Sequence, residues 1–65
     1  MITKALESAI TAEIDKNEIT EEKPLKLDSV TVFLLDSKAF KTRPPGLMPA
    51  GNFEYKGKNY AVYFS

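Results

Sequence analysis

Hydrophobic side chains recur along this chain with two different periods, and each period marks a different kind of element. Ile2, Leu6, Ile10 and Ile14 follow one another every four residues, with Ala5 and Ala9 widening the stripe. That spacing collects apolar groups on one side of a 3.6-residue helix and predicts an amphipathic helix at the start of the chain. Thr3 is its expected N-cap, its hydroxyl accepting from an early backbone N–H. Ala5, Ala9 and Ala12 add helix propensity and would let the helix sit close to a sheet. Glu7, Ser8, Thr11 and Asp15 fall on the water side. Asn17 is the expected stop, because Asn tolerates the left-handed conformation at a helix C-terminus.

Six of the eight residues from Asn17 to Pro24 are polar or charged and only Ile19 is apolar, so an exposed connector is expected there. From Leu25 to Leu35 the chain reads as one strand. Val30, Val32 and Leu34 point to one face, and Thr31, Phe33 and Leu35 to the other. Because both faces are apolar from residue 30 onward, this strand should be buried on both sides or covered by a second subunit. Asp36 to Phe40 is expected to form a helical turn capped by Asp36. Arg43 to Gly51 then holds three prolines and two glycines in nine residues, which argues against regular structure. Leu47 and Met48 sit in the middle of that loop.

Strict alternation returns at the end of the chain. Phe53-Glu54-Tyr55 and Tyr60-Ala61-Val62-Tyr63-Phe64 predict a β-hairpin around Lys56-Gly57-Lys58-Asn59. A two-residue turn at Lys56-Gly57 pairs Tyr55 with Lys58 and Phe53 with Tyr60. A four-residue turn pairs Tyr55 with Tyr60 and Phe53 with Val62. The two registers differ by two residues, so both place Phe53, Tyr55, Tyr60, Val62 and Phe64 on one face. Tyr63, Glu54 and Ala61 take the other. The expected fold is α+β: one N-terminal amphipathic helix packed on a three-stranded, mostly antiparallel sheet ending in a β-hairpin. Residues 1–65 are expected to form a single small domain.

Composition narrows the function. A domain of 65 residues buries only about 60% of the surface its unfolded chain exposes, so a stapling device or a partner is commonly needed. Cys and His are both absent, which removes disulfides and the metal sites built on thiolate or imidazole. Association, with itself or with another protein, is therefore expected. Hydrophobic content of 43% against 28% charged is globular rather than disordered. No run approaches the ~20 apolar residues of a membrane span. The start Met1-Ile2-Thr3-Lys4 lacks the apolar core of a signal peptide, so no membrane and a cytoplasmic location are expected. Residues 1–24 hold three lysines against six acids, and the remainder six basic residues against three acids. An acidic helix face accounts for most of that split.

Candidate chemistry is thin. Without His or Cys the hydrolase triads and thiol mechanisms lack their usual groups, and Ser8, Ser29, Ser37 and Ser65 have no evident base. Gly46, Gly51 and Gly57 fit neither phosphate-loop pattern. Asp28 with Asp36 is a carboxylate pair that nine acids in a short chain make expected by coincidence. Asp15, Asn17 and Glu18 lack the full calcium-loop spacing. No enzyme, cofactor or metal site is expected. Arg43-Pro44-Pro45 lacks the Pro-x-x-Pro spacing of SH3 ligands. Two readings of this loop stand side by side: a stiff connector tucking Leu47 and Met48 into the core, or a loop presenting them to a partner.

The expected function is a non-enzymatic protein-binding or assembly module, such as a small adaptor, inhibitor or structural subunit, acting through protein–protein contacts or as a homo-oligomer. Its expected partner-binding residues are Arg43, Leu47, Met48 and Tyr63, beside an exposed strand edge. The alternative is a single-stranded nucleic-acid binder using Lys38, Lys41, Arg43, Lys56 and Lys58 with Tyr55, Tyr60 and Tyr63. Residues Met1-Ile2-Thr3-Lys4-Ala5-Leu6-Glu7-Ser8-Ala9-Ile10 resemble the opening helix of various small bacteriophage structural proteins. Over those ten residues the resemblance implies a phage or mobile-element accessory protein.

Overall fold

The computed structural model describes residues 2–65; Met1, which opens the phage-like stretch, lies outside the described residues. In chain order the elements are α1 (Lys4–Lys16), β1 (Leu25–Leu27), β2 (Val30–Leu34), α2 (Lys38–Lys41), β3 (Met48–Tyr55) and β4 (Lys58–Phe64). The α+β class with an N-terminal helix holds, but the sheet has four antiparallel strands in the order β1-β2-β4-β3, not three. The extra strand comes from a reversal inside the stretch expected to be continuous. Asp28 adopts φ 53° and turns the chain, so that Leu27 pairs with Val30 and Leu25 with Val32. Asp is among the few residues that tolerate this left-handed region.

Thr3 caps α1 as expected, its hydroxyl accepting from the Leu6 N–H at 3.1 Å. Ile10 is fully buried, and Leu6 and Ile14 are half-buried beside it. Ala5, Ala9 and Ala12 do not widen the contact; all three are exposed. At 100° per residue Ala9 lies a quarter-turn away from Ile10, outside the narrow strip that meets the sheet. Asn17 does close α1, its N–H donating to the Glu13 carbonyl at 2.8 Å, but at φ −132° rather than in the left-handed region. The chain leaves extended and carries Ile19 into the core, where it is 6% exposed. The connector is thus pinned at its one apolar residue.

The sheet separates two clusters. On the first face, Val30, Val32, Tyr60 and Val62 meet Ile10 and Ile19, with Phe53, Tyr55 and Phe64 packed alongside. The hairpin register is the two-residue one, with Tyr55 opposite Lys58 and Phe53 opposite Tyr60. Lys56 at φ 52° and Gly57 at φ 79° form the turn, both in the positive-φ region that a type I′ hairpin requires. The predicted aromatic face is therefore realised.

The second face is also covered by this same chain. After β2 the backbone crosses it through α2 and the Pro/Gly loop, reaches the outer edge as β3, and returns between as β4. Phe33, Ala61 and Tyr63 form a cluster there, flanked by Leu35, Ala39, Phe40 and Leu47. No second subunit is required to bury β2. The cap of α2 is Ser37, whose hydroxyl accepts from the Phe40 N–H at 3.1 Å, and not Asp36, which sits at φ 70°. Nor is the breaker-rich segment wholly irregular: Met48 to Gly51 joins β3 through a bulge between Pro49 and Gly51. An edge strand tolerates a proline because one side of it needs no ladder donor.

Candidate interaction groove

The second face has a short cover, and the cover leaves a groove. α2 spans only four residues, and its first turn is tied to the connector by the Ala39 N–H donating to the Glu21 carbonyl at 2.8 Å. Between that tie, the β1 edge and the Pro/Gly loop lies an open groove of about 1150 Å³. Ala39, Pro44 and Leu47 line it from α2 and the loop, and Phe33 lines it from β2. The end of α1, the connector and β1 add Lys16, Lys23 and Lys26 with Glu18 and Glu22 to the lining. Lys23 and Lys26 flank the start of β1, and the reversal at Asp28 is what lays that strand beside the groove.

The ion pairs among the described residues lie elsewhere. Lys56 Nζ meets Asp15 Oδ1 at 2.9 Å, and Lys58 Nζ meets Glu18 Oε1 at 3.8 Å. The Tyr55 hydroxyl also donates to Asp15, at 2.9 Å to Oδ2. The Lys56 ammonium, and then the Tyr55 hydroxyl, hold the Asp15 carboxyl below its ordinary value. Asp15 in turn raises both Lys56 and Tyr55. The acidic end of α1 is therefore matched to the basic hairpin turn within one chain. Lys16, Lys23 and Lys26 take part in neither pair.

The residues singled out for partner contact are scattered. Tyr63 does lie opposite Tyr60 and Val62, but it is not an exposed platform; it is 9% exposed. Phe33 meets it edge-on at 5.6 Å and Phe40 lies at 6.3 Å, because α2 folds over this face. Arg43 closes the cluster from outside, its guanidinium 4.6 Å from the Phe40 ring and 5.2 Å from Tyr63, with Nη1 donating to the Phe40 carbonyl at 2.9 Å. Leu47 is half-buried against the same cluster and lines the groove. Met48 is 68% exposed. Paired with Phe64, it belongs to the first face, across the sheet from the groove.

The groove lysines and Phe33 were not among the expected contact residues. Lys23 and Lys26 offered a signal, two cations bracketing Pro24, but its meaning depends on a strand boundary that the apolar pattern conceals. No helix among the described residues is long and apolar enough to cross a membrane. No protein-family model, curated protein or solved structure matches the chain.

Proposed function

We propose that this chain is a non-enzymatic protein-binding module that holds an extended segment of a partner protein, carrying both apolar and acidic side chains, in the groove of its second face. The observation that carries this reading is the mixed lining: Ala39, Pro44 and Leu47 from α2 and the Pro/Gly loop, and Lys16, Lys23 and Lys26 from the end of α1, the connector and β1. The apolar residues supply contact area, and lysines that join neither ion pair among the described residues supply orientation and steering. Of the two acids that line the groove, Glu18 is paired with Lys58.

Selection from a displayed library of short peptides tests it. Enriched sequences should combine Leu or Phe with Asp or Glu, and their binding should shift the amide resonances of Thr31, Ala39 and Leu47. Lys23→Glu with Lys26→Glu should weaken binding about tenfold or more, equivalent to ~1.4 kcal/mol or above. Selected peptides that map to another surface, or that ignore the double charge reversal, would remove the groove from the function.

A further inference from the structure

The sheet leaves two strand edges unpaired, β1 with three residues and β3 with eight. The orientation of the β3 backbone follows from its register. A two-residue turn makes its flanking residues, Tyr55 and Lys58, a hydrogen-bonded pair, and such pairs alternate along an antiparallel ladder. Phe53–Tyr60 is then the next bonded pair, and Glu54–Asn59 and Asn52–Ala61 fall between. The Asn59 carbonyl agrees: it accepts from the Leu35 N–H at 2.9 Å, on the β2 side, so it is turned away from β3. The amides and carbonyls of Asn52 and Glu54 consequently face the open edge. Both residues are exposed. Beyond them the edge is closed at one end by the bulge at Pro49, which has no N–H, and at the other by the turn. Gly51–Tyr55 is the part left free to pair.

We propose that this segment pairs with its counterpart in a second copy of the chain, antiparallel about a twofold axis at Phe53, to give one continuous sheet. This stands apart from the groove, which adjoins β1 at the opposite edge of the sheet. The free segment is self-complementary in only one way. With the axis at Phe53, Asn52 meets Glu54 of the second copy in a bonded pair, and the symmetry repeats it. Tyr55 then lies opposite Gly51 of the second copy, and Phe53 lies opposite its own counterpart. Moving the axis to Glu54 places two carboxylates directly opposite each other, which destabilises a cross-strand pair. Moving it to Asn52 runs Glu54 into the bulge at Ala50. An isologous contact of this kind closes on itself and does not propagate.

Hydrogen exchange on the unaltered chain, read at rising concentration, is the first test. The Asn52 and Glu54 amides should become protected as sedimentation reports a dimer, while Phe53, already bonded to β4, changes little. Glu54→Pro removes one outward N–H without touching the β4 ladder and should return the protein to a folded monomer. Because the chain has no cysteine, Phe53→Cys gives a second readout. An unbonded antiparallel pair brings Cα atoms to about 4.5 Å, within disulfide reach, so this variant should oxidise to a linked dimer far faster than Ala9→Cys on the exposed side of α1. A monomer at every concentration overturns the proposal, as does a dimer that survives Glu54→Pro. A monomer that still binds acidic peptides overturns edge pairing alone and leaves the groove intact.

Discussion

The two faces of the sheet are covered by very different amounts of chain. A 13-residue helix and the connector's Ile19 close the first face; a four-residue helix and an irregular loop close the second. The first face spreads its contacts over aliphatic side chains and four rings, Phe53, Tyr55, Tyr60 and Phe64, drawn from α1, the connector and all four strands. The second concentrates them in three rings, Phe33, Phe40 and Tyr63, with Arg43 laid across two of them. A short cover can bury a sheet face only with large side chains, and even then it stops short of the β1 edge. The groove is the part it does not reach. On the second face the segment that buries the rings also lines the groove, whereas a longer helix closes the first face.

Substitution on adjacent β2 residues should separate the faces most sharply. Phe33→Ala is expected to cost about 3–5 kcal/mol in urea unfolding, because a fully buried ring that two others pack against leaves a cavity no neighbour can fill. Val32→Ala removes less volume from the first face and should cost distinctly less. Equal losses would contradict the concentration of the second face in its rings.

Gly51→Ala comes next. Gly51 has φ 150°, and an added Cβ would sit 3.1 Å from Ile2 Cδ1. Strain of this kind costs about 1–3 kcal/mol. The loss should appear in the thermal melt and shrink when Ile2→Ala is added, since the clash partner is then gone.

The caps offer a closer comparison. Ser37→Ala on the second face removes a buried acceptor from a four-residue helix and should cost about 1 kcal/mol. Hydrogen exchange should show the loss as local opening of α2 and widening of the groove, with α1 unaffected. Arg43→Gln should be smaller, about 0.5–1 kcal/mol, as expected for an exposed cation over a ring. A larger effect would mean that Arg43 holds the loop rather than shielding the rings.

The least effect is expected from pH. Asp15, at the far edge of the first face, has its carboxyl lowered from 3.8 by Lys56 and then Tyr55. Its contribution is fully present above 3.8 and lost as pH falls through the lower folded value. Lys56 and Tyr55 are raised by Asp15, so their share is present below 10.5 and 10.0 and lost as pH rises through the raised values. Melting temperature should therefore be flat across neutral pH. Lys56→Met should flatten the acid limb; an unchanged limb would assign acid sensitivity to other carboxylates.

What could be read directly from the residues is what depends on local period. The helix follows from Ile2, Leu6, Ile10 and Ile14. The hairpin's core face follows from strict alternation, whatever its turn. The sequence also carried the two-sided burial of β2, since Val32 and Phe33 are adjacent and both apolar. Its cover could not be read, because α2 and the loop are brought there by a crossover to the far edge of the sheet. The fourth strand escaped because one left-handed residue, Asp28, interrupts a run whose apolar character continues across it. Tyr63 was placed on the correct face and given the wrong environment for the same reason. Period assigns a side chain to a face, and only the long-range path of the chain decides whether that face meets water, rings or a partner.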